Sequence, residues 1–342
     1  SAEPGRWRTS RAEYQRGIMD VVNESGVETV VVMSSVQVGK TELVNNSVGY
    51  FISQDPSPIL ALNPTLEMSE AWSKDRLAPM VRDTPCLRNK IKDARSRDSG
   101  NTVLHKSFPG GHLTMAGANS PASLASRPIR VVIADEVDRY PISAGSEGDP
   151  VNLAVKRTTT FWNRKIILVS TPTIKGLSRI EQVFEQSDQR RYFVACPHCQ
   201  HEQVLRWSSV HWNQGEPESA WYECEECRGI ITNAHKAQMI RQGCWKATAP
   251  FKGIAGFHLN ELYSPWRTFG DVAVAFTKAK DNPQQLQTWV NTSLGETWEE
   301  EAGEQLGHEA LIARAEPYQP LTIPTKGLLL TAGVDVQNDR LV

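Results

Sequence analysis

Long hydrophobic runs are missing from this 342-residue chain. Crossing a membrane takes ~20 consecutive apolar residues. The longest stretches here resemble Val30-Val31-Val32-Met33, so no membrane partner is expected. An excess of positive charge is missing too: 37 Lys and Arg face 39 Asp and Glu, for a net charge of −2. That excludes a histone-like polycation. It leaves room for a nucleic-acid enzyme, which can confine positive charge to one channel. Arg6, Arg8, Arg11 and Arg16 have no apolar segment behind them, so a secretory signal is not expected. There is no internal repeat. Cysteine is scarce, and four of the six fall into two short pairs, a metal spacing more than a disulfide framework. A cytoplasmic protein is the default. With 39% hydrophobic and 22% charged residues the chain can build a globular core, and its length suits two or three domains.

Residues 28–35 read as a short buried strand. Gly39-Lys40-Thr41 follows, then helical spacing of Leu43, Val44, Val48 and Phe51 up to a stop at Asp55-Pro56-Ser57-Pro58. Strands are expected again at 59–62, 112–116, 130–138 and 165–170, and a helix over 66–81. Short apolar strands alternating with helical segments indicate a parallel α/β sheet. Nine Lys or Arg against four Asp between Lys74 and Lys106 form a basic flank, either a solvated face or a DNA-facing surface. From Tyr192 to about Ala249 the texture changes to cysteine pairs, tryptophans and short β-like pieces. A helix is expected over 269–290. An acidic stretch at 293–316 and a linker at 317–324 follow. Residues 327–336 read as a buried strand with nothing after it to pack on, so the chain is expected to be a piece of something longer.

Ser34-Ser35-Val36-Gln37-Val38-Gly39-Lys40-Thr41 lies between a predicted strand and a predicted helix. There, backbone N–H groups and a helix N-terminus cradle phosphates. Lys40 would reach the β/γ-phosphates and the Thr41 hydroxyl would bind Mg²⁺. Ser34 stands where the usual pattern has its first glycine. Residues 131–136 form an apolar strand that delivers Asp135 and Glu136 at its C-terminal end, where α/β sheets place ligands. Asp135 would hold Mg²⁺ and Glu136 would polarise the attacking water, against the plainer reading of two exposed acids capping a strand. Ser170-Thr171-Pro172-Thr173 ends the next strand, either as hydroxyls that sense the γ-phosphate or as an ordinary proline turn.

Cys196-x2-Cys199 and Cys224-x2-Cys227 match a structural zinc site of four thiolates. His198 and His201 are alternative ligands, and Cys86 and Cys244 stay outside the scheme. Asp335 interrupts an apolar strand, either as a metal ligand or as a paired or strand-end acid.

Together these features resemble the large terminase subunit of tailed phages, in the branch related to phage lambda's. The resemblance rests on Pro4-Gly5-Arg6-Trp7-Arg8-Thr9-Ser10 with Tyr14-Gln15, residues 34–41, Asn63-Pro64-Thr65, Ser73-Lys74 and Ser126-Arg127-Pro128. It continues through Asp135-Glu136, residues 170–173, both cysteine pairs and Gly333-Val334-Asp335-Val336-Gln337. It implies a RecA-like P-loop NTPase with a parallel central sheet over 1–190, a zinc-ribbon-like module over 191–249 and a helical or linker region over 250–324. The first strand of an RNase H-like nuclease domain would occupy 325–342. It also implies an ATP-driven DNA-packaging motor with endonuclease activity in the full-length protein. Its cofactors would be ATP, Mg²⁺ and Zn²⁺. Its partners would be double-stranded viral DNA, the procapsid portal, the small terminase subunit and further copies in a ring, in the host cytoplasm.

By the same resemblance, Tyr14 and Gln15 lie in the adenine-contacting stretch and residues 170–173 form a coupling motif. Asp335 is the first nuclease aspartate, with its partner acids expected beyond Val342. Many relatives carry an arginine inside the phosphate loop; Val36, Gln37 and Val38 offer none. The resemblance then points to an arginine from a neighbouring subunit or a closing loop, with Arg127, Arg130, Arg139 and several between Arg76 and Arg97 as candidates. Asp135-Glu136-Val137-Asp138 also suits a superfamily-two helicase or another DNA translocase, and the cysteine pairs alone suit a non-enzymatic zinc-ribbon nucleic-acid binder.

Overall fold

The computed structural model describes residues 8–91, 101–120 and 128–299, together with Thr322. Residue contacts divide the chain after Glu299, and the architecture below is that of the first unit.

Strand β1 (Thr29–Ser34) is apolar at every position from Val30 to Met33, the pattern of a strand covered on both faces. Side chains alternate along it. Val30 and Val32 enter one core, Val31 and Met33 the other. The first core is closed by α1 (Tyr14–Val21), α2 (Lys40–Ser53) and α3 (Leu66–Trp72), through Ile18, Leu43, Val48, Phe51 and Trp72. The second is closed by α5 (Pro150–Lys156) and α6 (Arg179–Glu185), through Ala154, Ile180 and Phe184; α4 (Ala78–Asp83) precedes them in the chain. Burying each such side chain contributes roughly 1.5–3 kcal/mol.

The remaining strands are β2 (Pro58–Asn63), β3 (His105–Phe108), β4 (Gly111–Gly117), β5 (Val131–Asp135), β6 (Lys165–Ser170), β7 (Arg190–Ala195), β8 (Glu202–Val204), β9 (Val210–Asn213), β10 (Glu216–Glu223), β11 (Ile230–Ile231), β12 (Cys244–Lys246) and β13 (Ile254–Leu259). The main sheet has the order β12-β7-β13-β1-β6-β5-β2-β4-β3, with β8 also on β7. From β7 to β4 every neighbour is parallel; β12, β8 and β3 are antiparallel additions at the two ends. The RecA-like expectation holds in this mostly parallel α/β sheet, with the phosphate-loop strand at its centre.

Two expected helices are broken, each at a proline. Over 66–81, α3 and α4 flank a π-turn at Ser73–Leu77, and Pro79 sits at the start of α4. The wide turn accommodates the missing N–H. Over 269–290 the chain forms α8 (Phe269–Ala279) and α9 (Pro283–Trp289), because Asn282 caps Gln285 N–H and Pro283 opens a new helix.

The spans 191–249 and 250–324 do not lie beside the sheet as separate pieces. They contribute β7, β8, β12 and β13 to it. Strand β13 went unread because Gly256 and His258 interrupt its apolar pattern. At Gly256 a Cβ would fall 1.9 Å from Ser187 Oγ, and His258 is buried with Nε2 3.0 Å from Gly295 O. Around the cysteines, β9, β10 and β11 make a small antiparallel sheet. With α7 (Asn233–Gln242), α8 and α9 it packs on a third core that includes Tyr14 of α1 and Tyr192, Tyr222, Tyr263 and Trp289.

Candidate functional site

The loop between β1 and α2 is gripped on two sides. From α1, Tyr14 Oη donates to Val38 O (3.1 Å), and Gln15 Nε2 donates to Val38 O (3.0 Å) and Gly39 O (3.2 Å). Gly39 has φ +86° and a Cβ there would fall 2.0 Å from Gln15 Nε2, so both backbone and space require glycine. From the other side, the Ser35 and Val36 N–H groups donate to Leu259 O (2.9 Å) and Thr292 O (2.8 Å), and Ser264 Oγ to Gln37 O (3.0 Å). Ser34 and Ser35 are fully buried. Lys40 and Thr41 are the first two residues of α2, where the helix N-terminus favours an anion.

Strand β6 lies between β1 and β5, so Lys40 must reach across its end to meet the carboxylates. It does: its ammonium hydrogen-bonds the Thr171 hydroxyl and lies 3.2 Å from Glu136 Oε1. Successive side chains on a strand point to opposite faces, which would separate Asp135 from Glu136. The chain avoids this by placing Glu136 in the left-handed region, φ +54° and ψ +50°, a conformation that costs a non-glycine residue roughly 1–3 kcal/mol. Burial lowers the Lys40 pKa against the pull of Glu136 and Asp135. Burial, then the neighbouring Glu136 charge, pushes Asp135 up to about 6. Asp135 Oδ1 and Glu136 Oε2 are buried and accept no hydrogen bond among the described residues. Oxygens of this kind suit a hard divalent cation.

Behind this cluster, Ser170 Oγ accepts from the Asp138 N–H (3.2 Å) and Thr173 Oγ1 donates to Asp138 Oδ2 (3.0 Å). Residues 291–299 then run back over both loops. Asn291 Nδ2 and Trp298 N–H donate to Thr173 O (2.7 and 2.8 Å), and Lys175 N–H donates to Trp298 O (2.9 Å). A Cβ on Gly295 would fall 2.6 Å from Ser35 N.

The four cysteines converge as two equal knuckles. Cys196 N–H donates to His201 O and Gln200 N–H to Cys196 O; Cys224 N–H donates to Gly229 O and Arg228 N–H to Cys224 O. Gln200 (φ +64°) and Arg228 (φ +58°) make the same left-handed step after each second cysteine. The four Sγ atoms lie within 4.8 Å of one another, with pairs at 3.9 and 3.8 Å. Tetrahedral Zn–S bonds of ~2.3 Å require about 3.8 Å between sulfurs, so the donor set fits. His198 and His201 turn elsewhere, to Ile230 O (2.8 Å) and Glu225 Oε1 (3.0 Å).

Comparison with known proteins matches residues 1–245 to a family described as phage terminase large subunit gpA, ATPase domain, and residues 254–342 to the endonuclease domain of the same subunit. The chain belongs to the phage terminase large subunit gpA family. It is 30% identical to the terminase large subunit of Enterobacteria phage P21 and 29% identical to that of Escherichia phage lambda, over 99% of this chain in both cases. It spans 56% of the length of each of these relatives. It is also similar to an ATPase-domain structure of the Thermus phage P74-26 large terminase (15% identity, 86% of this chain and 95% of that chain, TM-score 0.49). The large terminase of a thermophilic bacteriophage in complex with ADP is similar at 16% identity, over 47% of this chain and 38% of that chain, with a TM-score of 0.36.

Within this terminase chain, the match to the endonuclease family begins at residue 254, yet β13 (Ile254–Leu259) pairs directly with β1. Asp335 and Arg127 lie outside the described residues. Arg130 is at the start of β5, away from the phosphate loop, and is committed to Asp55 Oδ2 (2.7 Å) and Ser57 Oγ (2.5 Å), which removes it as a candidate arginine. Arg139 is 62% exposed and sits 3.8 Å from Glu136 Oε2. Sequence reading missed Asn291, Gly295 and Trp298, whose spacing carries no signal, and Arg179, described below. Asp138 was visible only as the last letter of a four-residue pattern.

Proposed function

We propose that this chain is the ATP-hydrolysing part of a viral DNA-packaging motor. The observation that carries the reading is the convergence of Lys40, Thr171, Asp135 and Glu136 from the ends of three neighbouring parallel strands. The α2 N-terminus and Lys40 bind the phosphates, with Ser34 through Thr41 wrapped around them. Thr41 and Asp135 hold Mg²⁺, which neutralises charge on the β- and γ-phosphates when bound. Glu136 polarises the attacking water. Ser170 and Thr171 lie where a γ-phosphate is sensed, and Tyr14 with Gln15 joins the base side to the loop. Cys196, Cys199, Cys224 and Cys227 hold a structural Zn²⁺.

Double-stranded viral DNA, the procapsid portal, the small terminase subunit and neighbouring copies in a ring are the partners this reading requires, in the host cytoplasm. Asp335 belongs to the nuclease part and its divalent metal. No arginine lies in the phosphate loop, so a neighbouring copy or Arg139 supplies the positive partner of the transition state, a contribution typically worth about 10³–10⁵ in rate.

Steady-state phosphate release and binding of a fluorescent ATP analogue test the reading. Glu136→Ala keeps binding within a few-fold and lowers turnover by roughly 10²–10⁴, while Lys40→Ala loses binding as well. Near-normal turnover in both variants would overturn it.

A further inference from the structure

A glutamate in the left-handed region keeps that backbone only if its surroundings hold it there. Two side chains converge on the segment that follows Glu136. From within, Asp138 uses both carboxylate oxygens: Oδ2 accepts from Thr173 Oγ1 (3.0 Å) and Oδ1 from the Ile180 N–H (2.8 Å). From outside, the Arg179 guanidinium donates to Val137 O (3.2 Å), Tyr140 O (2.9 Å) and Pro141 O (2.6 Å), and its Nε pairs with Asp149 Oδ2 (2.9 Å). The Tyr140 hydroxyl completes the grip by donating to Leu62 O at the end of β2 (2.8 Å). Arg179 and Ile180 are adjacent and open α6, so one helical turn anchors both sides of the loop.

We propose that Asp138 and Arg179 are positioning residues for Glu136. They hold residues 136–141 so that the Glu136 carboxylate turns toward Lys40, and through Thr173 they make its placement depend on the loop that follows β6. The proposal rests on the ATPase reading above. It explains why an arginine close to the γ-phosphate end of the site serves as no phosphate ligand: its donors are spent on backbone carbonyls. Neither residue touches the reacting atoms; both act through Glu136.

The test is a set of cycles with Glu136→Gln, read by phosphate release and by affinity for a fluorescent ATP analogue. Asp138→Ala is expected to lower kcat about 100-fold, the effect of a misplaced catalytic group, with KM and analogue affinity within about twofold. Asp138→Asn, which keeps one acceptor, recovers part of the loss. Arg179→Lys keeps the charge without the fork and loses roughly tenfold. In the Glu136→Gln background each substitution is expected to cost almost nothing further, because the group it positions is gone. Thr173→Val removes one donor at nearly constant size and serves where the other variants fold poorly; it should lower kcat in the wild-type background alone. Full kcat in Asp138→Ala and Thr173→Val, or an equal loss with and without Glu136, would overturn the proposal. Unchanged turnover in Glu136→Gln itself would instead remove the ATPase reading beneath it.

Discussion

The cysteine cluster and the nucleotide site are built by opposite means. Each cysteine knuckle is closed by hydrogen bonds within six residues, and the two knuckles repeat one geometry. The nucleotide site takes its groups from the ends of β1, β5 and β6 and its support from α1 and from residues 259–299. A locally closed site is written in its spacing. A site assembled from distant strands is written there only in part, because the supporting residues owe their positions to the sheet.

The largest contrast is between chemistry and folding. Glu136→Ala should abolish turnover by orders of magnitude and leave the melting temperature nearly unchanged, since it also relieves a left-handed backbone and a buried carboxylate. Cys199→Ser should do the reverse at its own site. The purified chain is expected to carry about one zinc, and this variant should lose it and loosen residues 190–250, read by elemental analysis and hydrogen exchange. A folded, reduced sample without zinc would break the comparison.

The chain itself shows why reading went further at one site than at the other. Gly39-Lys40-Thr41 and the acids after an apolar strand were recognisable because phosphate and Mg²⁺ chemistry restricts the residue types. The strand pattern at β1, β2, β4, β5 and β6 was recognisable because burial on both faces leaves an unbroken apolar run. β13 was hidden by two residues chosen for their neighbours: Gly256 for the close approach of Ser187, and His258 for its bond to Gly295. The left-handed turn at Glu136 had no signal, since glycine or asparagine would normally mark it.

Smaller effects sharpen the comparison further. Gly39→Ala introduces a left-handed alanine and displaces Gln15 from the loop carbonyls. Roughly 1–2 kcal/mol of stability should be lost, with a clear drop in nucleotide affinity; an unchanged affinity would show that the Gln15 grip does not shape the phosphate loop. The least effect is on pH dependence. Burial, then the nearby Arg191 charge, lowers the His258 pKa to about 3, whereas the unfolded chain titrates it near ~6.5. The unfolded state therefore takes up the proton first, and stability falls as pH drops from about 6.5 toward 3, by up to ~1.4 kcal/mol per pH unit. Denaturation midpoints of His258→Gln should lose this part of the slope.

The placement of β13 has a consequence for the order in which the molecule can form. The phosphate loop is encoded within the first 41 residues, yet β1 acquires its second parallel neighbour only from residues 254–259, and two loop amides find their acceptors at Leu259 and Thr292. During synthesis the N-terminal half must wait with β1 as an open edge, a hazard for wrong pairing. A chain cut at residue 245, where the match to the ATPase family ends, would keep every residue of the nucleotide site that sequence reading named and still lack the strand that closes the sheet beside it.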